Sequence, residues 1–183
     1  MSRHVLVAYA GKMGATAGIA DAIGAEIRRH GHQVDVRAAG QVRSIAEYDD
    51  VILGSAICAH RWRPEAVRFL RKHTGTLRDR QVWLFHSGPI GPHADQLQAM
   101  PRKVSRLARQ IGANPAMTFA GMLEPKTAKG FLARRMAATD LAGDVRDWDL
   151  IRAWAQDVAT VISSAEAGVW QRSEPQQQEE APQ

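Results

Sequence analysis

The segment that decides the fold is VLVAYAGKMGAT, residues 5–16. Its first five residues form a short apolar run that is typical of a buried strand. A glycine-containing loop follows at once, and Ile19, Ile23 and Ile27 then recur every four residues, which predicts a helix from 15 to 30. A strand that passes through a short loop into a helix begins a β-α-β unit, and the sequence therefore predicts a parallel sheet.

The rest of the chain continues this alternation. Further strands are predicted at 33–37, 51–56, 82–86 and 117–121. Further helices are predicted at 42–48, 64–75, 101–111 and 147–165. We therefore predict an α/β fold, a doubly wound, five-stranded parallel sheet between two helical layers, which makes a three-layer sandwich. Two strand orders remain open: that of dinucleotide-binding domains, and 2-1-3-4-5.

Length and composition favour one domain. The 183 residues are 45% hydrophobic and 23% charged, which excludes a disordered chain and a disulfide-rich scaffold. We expect the folded domain at 1–167 and a disordered polar tail at 168–183. Cys58 has no partner for an intrachain disulfide, and no apolar run approaches the roughly 20 residues of a membrane span or the pattern of a signal peptide. We therefore expect a cytoplasmic protein.

The charge balance points to anionic partners. The net charge is +5, and the acidic residues of the tail leave the body still more basic. Such a surface favours a small molecule that carries phosphate or carboxylate, nucleic acid, or an anionic membrane, although charge can also serve solubility alone. No recognised nucleic-acid motif is present, and we predict no nucleic-acid binding.

The first loop is the candidate phosphate site, because it lies between the carboxyl end of a parallel strand and the start of a helix. It fits neither a Walker A loop nor the G-x-G-x-x-G fingerprint, and no acid stands at the strand end as in a phospho-receiver domain. A plain strand-to-helix turn remains the alternative. The candidate residues are Ala10, Gly11, Lys12, Met13, Gly14, Ala15 and Thr16.

Two further loops follow the next buried strands, and both should lie beside the first. Their small residues, with Trp62 nearby, are of a kind that can frame a flat heteroaromatic ring, although Trp62 can equally pack a helix. The candidate residues are Ser55, Ala56, Ile57, Cys58, Ala59, His60, Ser87, Gly88, Pro89, Ile90 and Gly91. We predict no metal site and identify no catalytic triad, because the histidines lack a recognisable arrangement with carboxylates or thiols.

These loops resemble those of the flavodoxin family. The segment Tyr9 to Thr16 is similar to the family's FMN-phosphate loop, in which Gly14 and Thr16 match and Ala10, Gly11 and Met13 replace polar residues. The resemblance covers about 5–163. It implies a flavodoxin-like fold with the strand order 2-1-3-4-5, and FMN as the cofactor, in which case the flavin would supply the redox chemistry.

Within that family the sequence is similar to relatives of menaquinone-dependent protoporphyrinogen dehydrogenase. The similarity lies in Tyr48-Asp49 before the VILGS strand, in His60-Arg61, and in Arg146-Asp147-Trp148. It implies a flavin-dependent oxidoreductase or electron carrier that oxidises a small, anionic substrate and reduces a quinone. The basic and apolar segment 126–136 would then contact a membrane surface, the inner membrane face; a solvated helix is the other interpretation.

A second hypothesis from a different class remains open. The altered phosphate loop also suits a degenerate flavodoxin-fold protein that binds FMN weakly, binds a deazaflavin or binds no flavin, and acts through partners. Neither hypothesis specifies an oligomeric state.

Overall fold

The computed structural model describes residues 2–88, 97–123, 135 and 143–170. The strands are β1 (His4–Ala10), β2 (Gln33–Ala38), β3 (Asp50–Cys58), β4 (Arg61–Trp62), β5 (Gln81–Ser87), β6 (Met117–Phe119), β7 (Met122–Leu123) and β8 (Gly143–Asp144). The helices are α1 (Ala15–Arg29), α2 (Pro64–Leu77), α3 (Arg102–Gln110) and α4 (Trp148–Trp170), with a 3-10 turn at Ala39–Gln41. No helix among the described residues is long and apolar enough to span a membrane.

The central sheet is parallel and has the order β2-β1-β3-β5-β6. Counted along the chain without the short β4, this is the predicted order 2-1-3-4-5, and the dinucleotide-binding order is wrong. The strand order reverses between β1 and β3, because β2 returns to one side of β1 and all later strands add on the other. In doubly wound folds ligands bind at such a reversal, at the carboxyl edge of the sheet, which here lies next to the β1–α1 loop.

Helices cover both faces of the sheet, as predicted. On one face α1 packs against α4, and their apolar side chains share a core with Val5, Val7 and Ile52. On the other face α2 contacts α3, and their apolar side chains bury Leu6 and Leu53. The strands β1 and β3 are apolar on both faces because each face supports a helical layer. The three-layer α/β sandwich is therefore confirmed.

Local structure departs from the sequence prediction most clearly at 42–48 and at the end of β3. No helix forms at 42–48; instead Ile45 and Tyr48 lie buried in the core next to α2, and the Tyr48 hydroxyl donates to Asp35 Oδ2 at 2.7 Å. Tertiary packing outweighs the local helix propensity here, because both side chains are buried in the core from a non-helical backbone. In addition, β3 extends two residues beyond the predicted strand and turns back at once into the antiparallel β4.

The last helix reaches Trp170, beyond the predicted boundary at 167, and residues 171–183 lie outside the described part of the chain. The predicted tail therefore stays a prediction. The strands β7 and β8 pair antiparallel and so bring Leu123 next to Gly143, on either side of the stretch that contains 126–136. Of that segment only Arg135 is described.

Candidate functional site

The site lies where three parallel strands end side by side. In the register of the sheet, Ala10 of β1 is level with Ser55 of β3, which in turn is level with His86 of β5. The three loops that carry the predicted site residues therefore leave the sheet at one edge, as expected for parallel strands.

The first loop presents an open helix N-terminus. Gly14 is the N-cap of α1 and has φ +89°, a left-handed conformation that glycine adopts without strain. No side chain caps the helix and no acidic residue lies in its first turn, so the amide groups of Ala15, Thr16 and Ala17 lack intrahelical acceptors. Lys12 is exposed in the loop. Amide N–H groups, the helix dipole and an ammonium group together favour an anion at this point.

The Thr16 side chain does not point into this anion site. Thr16 is 1% exposed, and its hydroxyl lies 2.8 Å from the hydroxyl of Ser87 at the end of β5. Gly11 allows this arrangement: a Cβ at Gly11 would stand 2.7 Å from Thr16 Oγ1. Of the other loop residues, Ala10 and Ala15 are buried and Met13 is half-buried. An anion at this helix N-terminus would therefore meet backbone amides and not the Thr16 hydroxyl.

The second loop is a tight hairpin rather than an extended loop. Cys58 pairs with Arg61, and the two residues between them, Ala59 and His60, have φ +48° and +56°. Two consecutive left-handed residues are typical of a type I′ turn, which normally favours glycine or asparagine. Cys58, Ala59 and His60 are exposed, and the hairpin leaves β3 next to the end of β1, from which the first loop departs.

Ser55 lies at the base of this hairpin. Its side chain is buried; Oγ donates to the Ala56 carbonyl oxygen at 2.9 Å and accepts from the Arg63 amide at 2.9 Å. The hydroxyl therefore acts both as a donor and as an acceptor, and Ser55 holds the start of α2 against β3. Ala56 and Ile57 are half-buried above it.

Trp62 packs in the interior and does not flank a ring. It is 5% exposed, and its Nε1–H donates to His86 Nδ1 at 3.4 Å. His86 Nε2 lies 2.9 Å from Thr118 Oγ1 and 3.1 Å from the Gln98 carbonyl oxygen. Since indole is only a donor, Nδ1 is the acceptor and the His86 proton is on Nε2. Burial lowers the pKa of His86, which is therefore a neutral structural group below the site.

The third loop begins in contact with the hairpin. A Cβ at Gly88 would lie 2.1 Å from Ile57 Cγ2, so glycine is what lets Ile57 cover this strand end. The Gly88 amide donates to the Phe119 carbonyl oxygen at 3.2 Å, and Ser87 is held by Thr16. The predicted residues Pro89, Ile90 and Gly91 lie outside the described part of the chain.

Sequence reasoning missed the role of Arg146. Its guanidinium bonds both oxygens of Asp144 at 2.7 and 2.6 Å and lies 4.3 Å above the Trp148 ring. One nitrogen also reaches the Ala15 carbonyl oxygen at 3.5 Å, and a Cβ at Gly18 would stand 2.6 Å from Nη1. Arg146 therefore holds β8 and the start of α4 against the first turn of α1. The sequence Arg146-Asp147-Trp148 contributed to the family resemblance, but it did not predict a contact with a residue 131 positions away.

A doubly wound α/β sandwich with the strand order 2-1-3-4-5 and an uncapped helix N-terminus at its switch point is the fold of flavodoxin-like proteins. The sequence agrees: the family model described as a flavodoxin domain matches residues 6–138. The chain therefore belongs to the flavodoxin domain family. A comparison with curated proteins gives no match.

Solved structures show the same fold. A flavodoxin from the domain Archaea superposes with a TM-score of 0.60 at 15% identity, over 87% of this chain and 99% of that one. The Streptococcus pneumoniae flavodoxin gives 0.58 at 17% identity, over 86% and 98%. Rubredoxin oxygen:oxidoreductase from Desulfovibrio gigas gives 0.60 at 15% identity over 88% of this chain, which spans only 36% of that protein. At these identities the likeness shows the fold alone.

The arrangement suits a bound anion attached to a planar group more than it suits acid–base chemistry. Among residues 2–88, 97–123 and 143–165, no three histidine, cysteine, aspartate or glutamate side chains form a metal-binding group. The first loop fits the FMN phosphate in one respect, because free backbone amides and a left-handed glycine are present there. It differs in another, because the hydroxyl of Thr16 is already bonded to Ser87. Any ring would lie against the hairpin and the Ser87–Gly88 strand end.

Proposed function

We propose that this protein binds FMN at the carboxyl edge of its sheet and acts as an electron-carrying flavoprotein. The observation that carries the proposal is the open N-terminus of α1, with Gly14 left-handed and no side-chain cap, at the point where the strand order reverses. Flavodoxin-domain membership and the flavodoxin neighbours support the same cofactor.

The residues of this chain would bind and orient the cofactor. The amides of Ala15, Thr16 and Ala17 would hold the phosphate, and Lys12 would balance its charge. When bound, FMN supplies one- and two-electron redox chemistry. The hairpin at Cys58–Arg61 and the covered strand end at Gly88 would fix the ring and limit its contact with water.

We propose that the electron donor is an anionic small molecule, namely a porphyrinogen, and that the electron acceptor is a quinone. Two features support this pairing: the basic composition of the chain and the sequence resemblance at Tyr48-Asp49, His60-Arg61 and Arg146-Asp147-Trp148. The quinone part depends on segment 126–136, which would contact the membrane surface. Its side chains, other than Arg135, lie outside the described residues.

The first experiment is the visible absorbance spectrum of the purified protein, followed by titration with FMN and with a deazaflavin. Saturable uptake of FMN supports the proposal, and Lys12→Glu should then weaken binding at least tenfold, about 1.4 kcal/mol. The matched control is Lys72→Glu, since Lys72 is also exposed but lies on α2 and bonds the Arg43 carbonyl oxygen at 2.8 Å. If Lys12→Glu binds FMN with the same affinity as the unmodified protein, the phosphate binds elsewhere.

One observation favours a second candidate, a flavodoxin-fold protein without flavin that acts through partners. The only hydroxyl of the first loop, that of Thr16, is buried and bonded to Ser87. If the protein takes up neither FMN nor the deazaflavin, this second candidate replaces the first.

A further inference from the structure

The two helical layers differ strongly in charge. α2 carries Arg68, Arg71 and Lys72 against Glu65. α3 carries four basic residues and no acidic one: Arg102, Lys103, Arg106 and Arg109. Together these two helices have a net charge of +6. On the other face α1 is neutral, and α4 has Asp149 and Asp157 against Arg152 up to residue 165. The excess positive charge is therefore concentrated on one face of the molecule.

Several basic side chains of this face are exposed and lie in no ion pair. Arg61, Arg68, Arg71 and Lys103 are solvent-exposed, and none forms a salt bridge with a residue of the described chain, although Glu65 on the same helix attracts Arg68. Arg63, just before α2, does pair with Glu65 at 3.5 Å. On the other layer Arg29 pairs with Glu26 and Arg152 with Asp149, and Arg28 bonds the Val34 carbonyl oxygen. Unpaired like charges repel one another, so this face is complementary to negative charge that another molecule brings.

Two grooves run along this face, one on each side of α2. The first, between α2 and the start of α3, has a volume of about 440 Å³ and contains Trp62, Val67 and Val104 among the basic side chains of Arg61 and Lys103. The second, between α2 and the 3-10 turn, has a volume of about 470 Å³ and is lined by the apolar side chains of Val42 and Phe69, by Lys72, and by one carboxylate, that of Glu65. Arg68 and Arg71 line both grooves and so form the ridge between them.

We propose that this face, which we call the α2–α3 surface, docks an acidic protein partner through a segment that carries both carboxylate and apolar side chains. Guanidinium groups bind carboxylates with two parallel hydrogen bonds, and the grooves between them accept apolar side chains. The first groove begins at Arg61, in the hairpin beside the candidate cofactor loops. A docked partner would therefore lie close to the electron-carrying edge; this last point rests on the proposed function.

The shape of the surface favours a protein over a membrane or a nucleic acid. A membrane contact needs apolar side chains that protrude, but the apolar residues here lie in grooves. The large exposed apolar side chains of the described residues are Leu97, Val145, Leu150 and Val161; none lies on α2 or α3, and the last two lie on α4 in the opposite layer. Nucleic acid would use the charge and leave the apolar grooves unused.

The test measures binding of a fluorescent peptide of repeated Glu-Leu-Glu-Ala units to the full chain by anisotropy, at low and at physiological salt. We expect saturable binding that weakens with salt. Arg71→Glu and Arg68→Glu should each reduce affinity about tenfold. The matched control Arg152→Glu changes the net charge equally on α4, and it should stay within about twofold of the unmodified protein.

Three outcomes would overturn the proposal: no binding of the peptide, equal loss with Arg71→Glu and Arg152→Glu, or tighter binding at the same salt to phosphatidylserine vesicles or to a DNA duplex. Circular dichroism of each variant establishes that it is folded. The titrations are done both without flavin and with added FMN. Peptide binding without any flavin uptake would support the docking surface and contradict only the proposed function. Flavin uptake without peptide binding would support the proposed function and contradict the docking surface.

Discussion

The hydroxyl groups of Thr16 and Ser87 lie 2.8 Å apart, and both residues are buried. The contact joins the first turn of α1 to the end of β5 across 71 residues of sequence. It fixes the helix N-terminus relative to the strand end that borders the candidate ring site. It also takes the threonine hydroxyl away from the place where a phosphate would bind.

Replacing Thr16 by valine should lower the free energy of unfolding by about 1–3 kcal/mol, because Ser87 would keep a buried hydroxyl without a partner. Ser87→Ala should have a similar effect, and the double variant should lose less than the sum of the two. Urea denaturation measures all three. Thr160→Val is the control, since Thr160 is exposed and bonds only the Gln156 carbonyl oxygen.

The same variant tests how phosphate is held. If amide groups hold the phosphate, Thr16→Val should keep its FMN affinity within about threefold, less than 1 kcal/mol. A loss of a hundredfold with a folded protein would mean that the hydroxyl turns to the phosphate on binding.

Gly14→Ala should reduce both stability and FMN affinity. Gly14 has φ +89°, so an alanine there is strained by about 1–2 kcal/mol and shifts the amides of the first turn. Gly31→Ala is a matched control, because Gly31 has φ +88° with no atom within 4 Å of its would-be Cβ and lies beyond the opposite end of α1. Both variants should lose similar stability in urea, and only Gly14→Ala should bind FMN more weakly. Equal FMN affinity in the two would argue against this loop as the phosphate site.

The stability of the protein should fall as the pH is lowered below about 6.5. Burial lowers the pKa of His86, so the folded state resists a proton that the unfolded chain takes up near the ordinary histidine pKa of about 6.5. The contribution of the neutral ring is therefore fully present above that pH and is lost as the pH falls toward the lowered value. His73, whose pKa burial also lowers, acts in the same direction.

Urea denaturation between pH 7.5 and pH 5, at about half-unit steps, measures this dependence. His86→Gln should show a smaller loss of stability over that range, because glutamine does not titrate. His30→Gln is the comparison, since His30 is exposed. If His86→Gln keeps the full pH dependence of the unmodified protein, His86 does not cause it.

Arg146→Lys should destabilise the protein by about 1–2 kcal/mol, because lysine cannot reproduce the paired bonds to Asp144 or the stacking on Trp148. Arg152→Lys should change stability by less than about 0.5 kcal/mol, since the Arg152–Asp149 pair is exposed. Thermal denaturation compares the two. Equal effects would show that Arg146 does not hold β8 against α1.

The sequence predicted the five parallel strands and the positions of the major helices because each element carries its own apolar period. The Ile19, Ile23 and Ile27 stripe and the apolar residues Val51, Ile52 and Leu53 are buried as expected. The helix predicted at 42–48 does not form, since Ile45 and Tyr48 are held by contacts with distant residues that no local pattern encodes.

For the site, the sequence by itself determined which loops meet at one edge of the sheet, since strand direction and alternation fix that. Only the tertiary structure decided what each side chain does there. Thr16 faces Ser87, Trp62 faces His86 and Arg146 reaches the first turn of α1, because such contacts depend on strand register and helix packing between residues far apart in the chain. The concentration of positive charge on α2 and α3 was likewise invisible until the topology placed both helices on one face of the sheet.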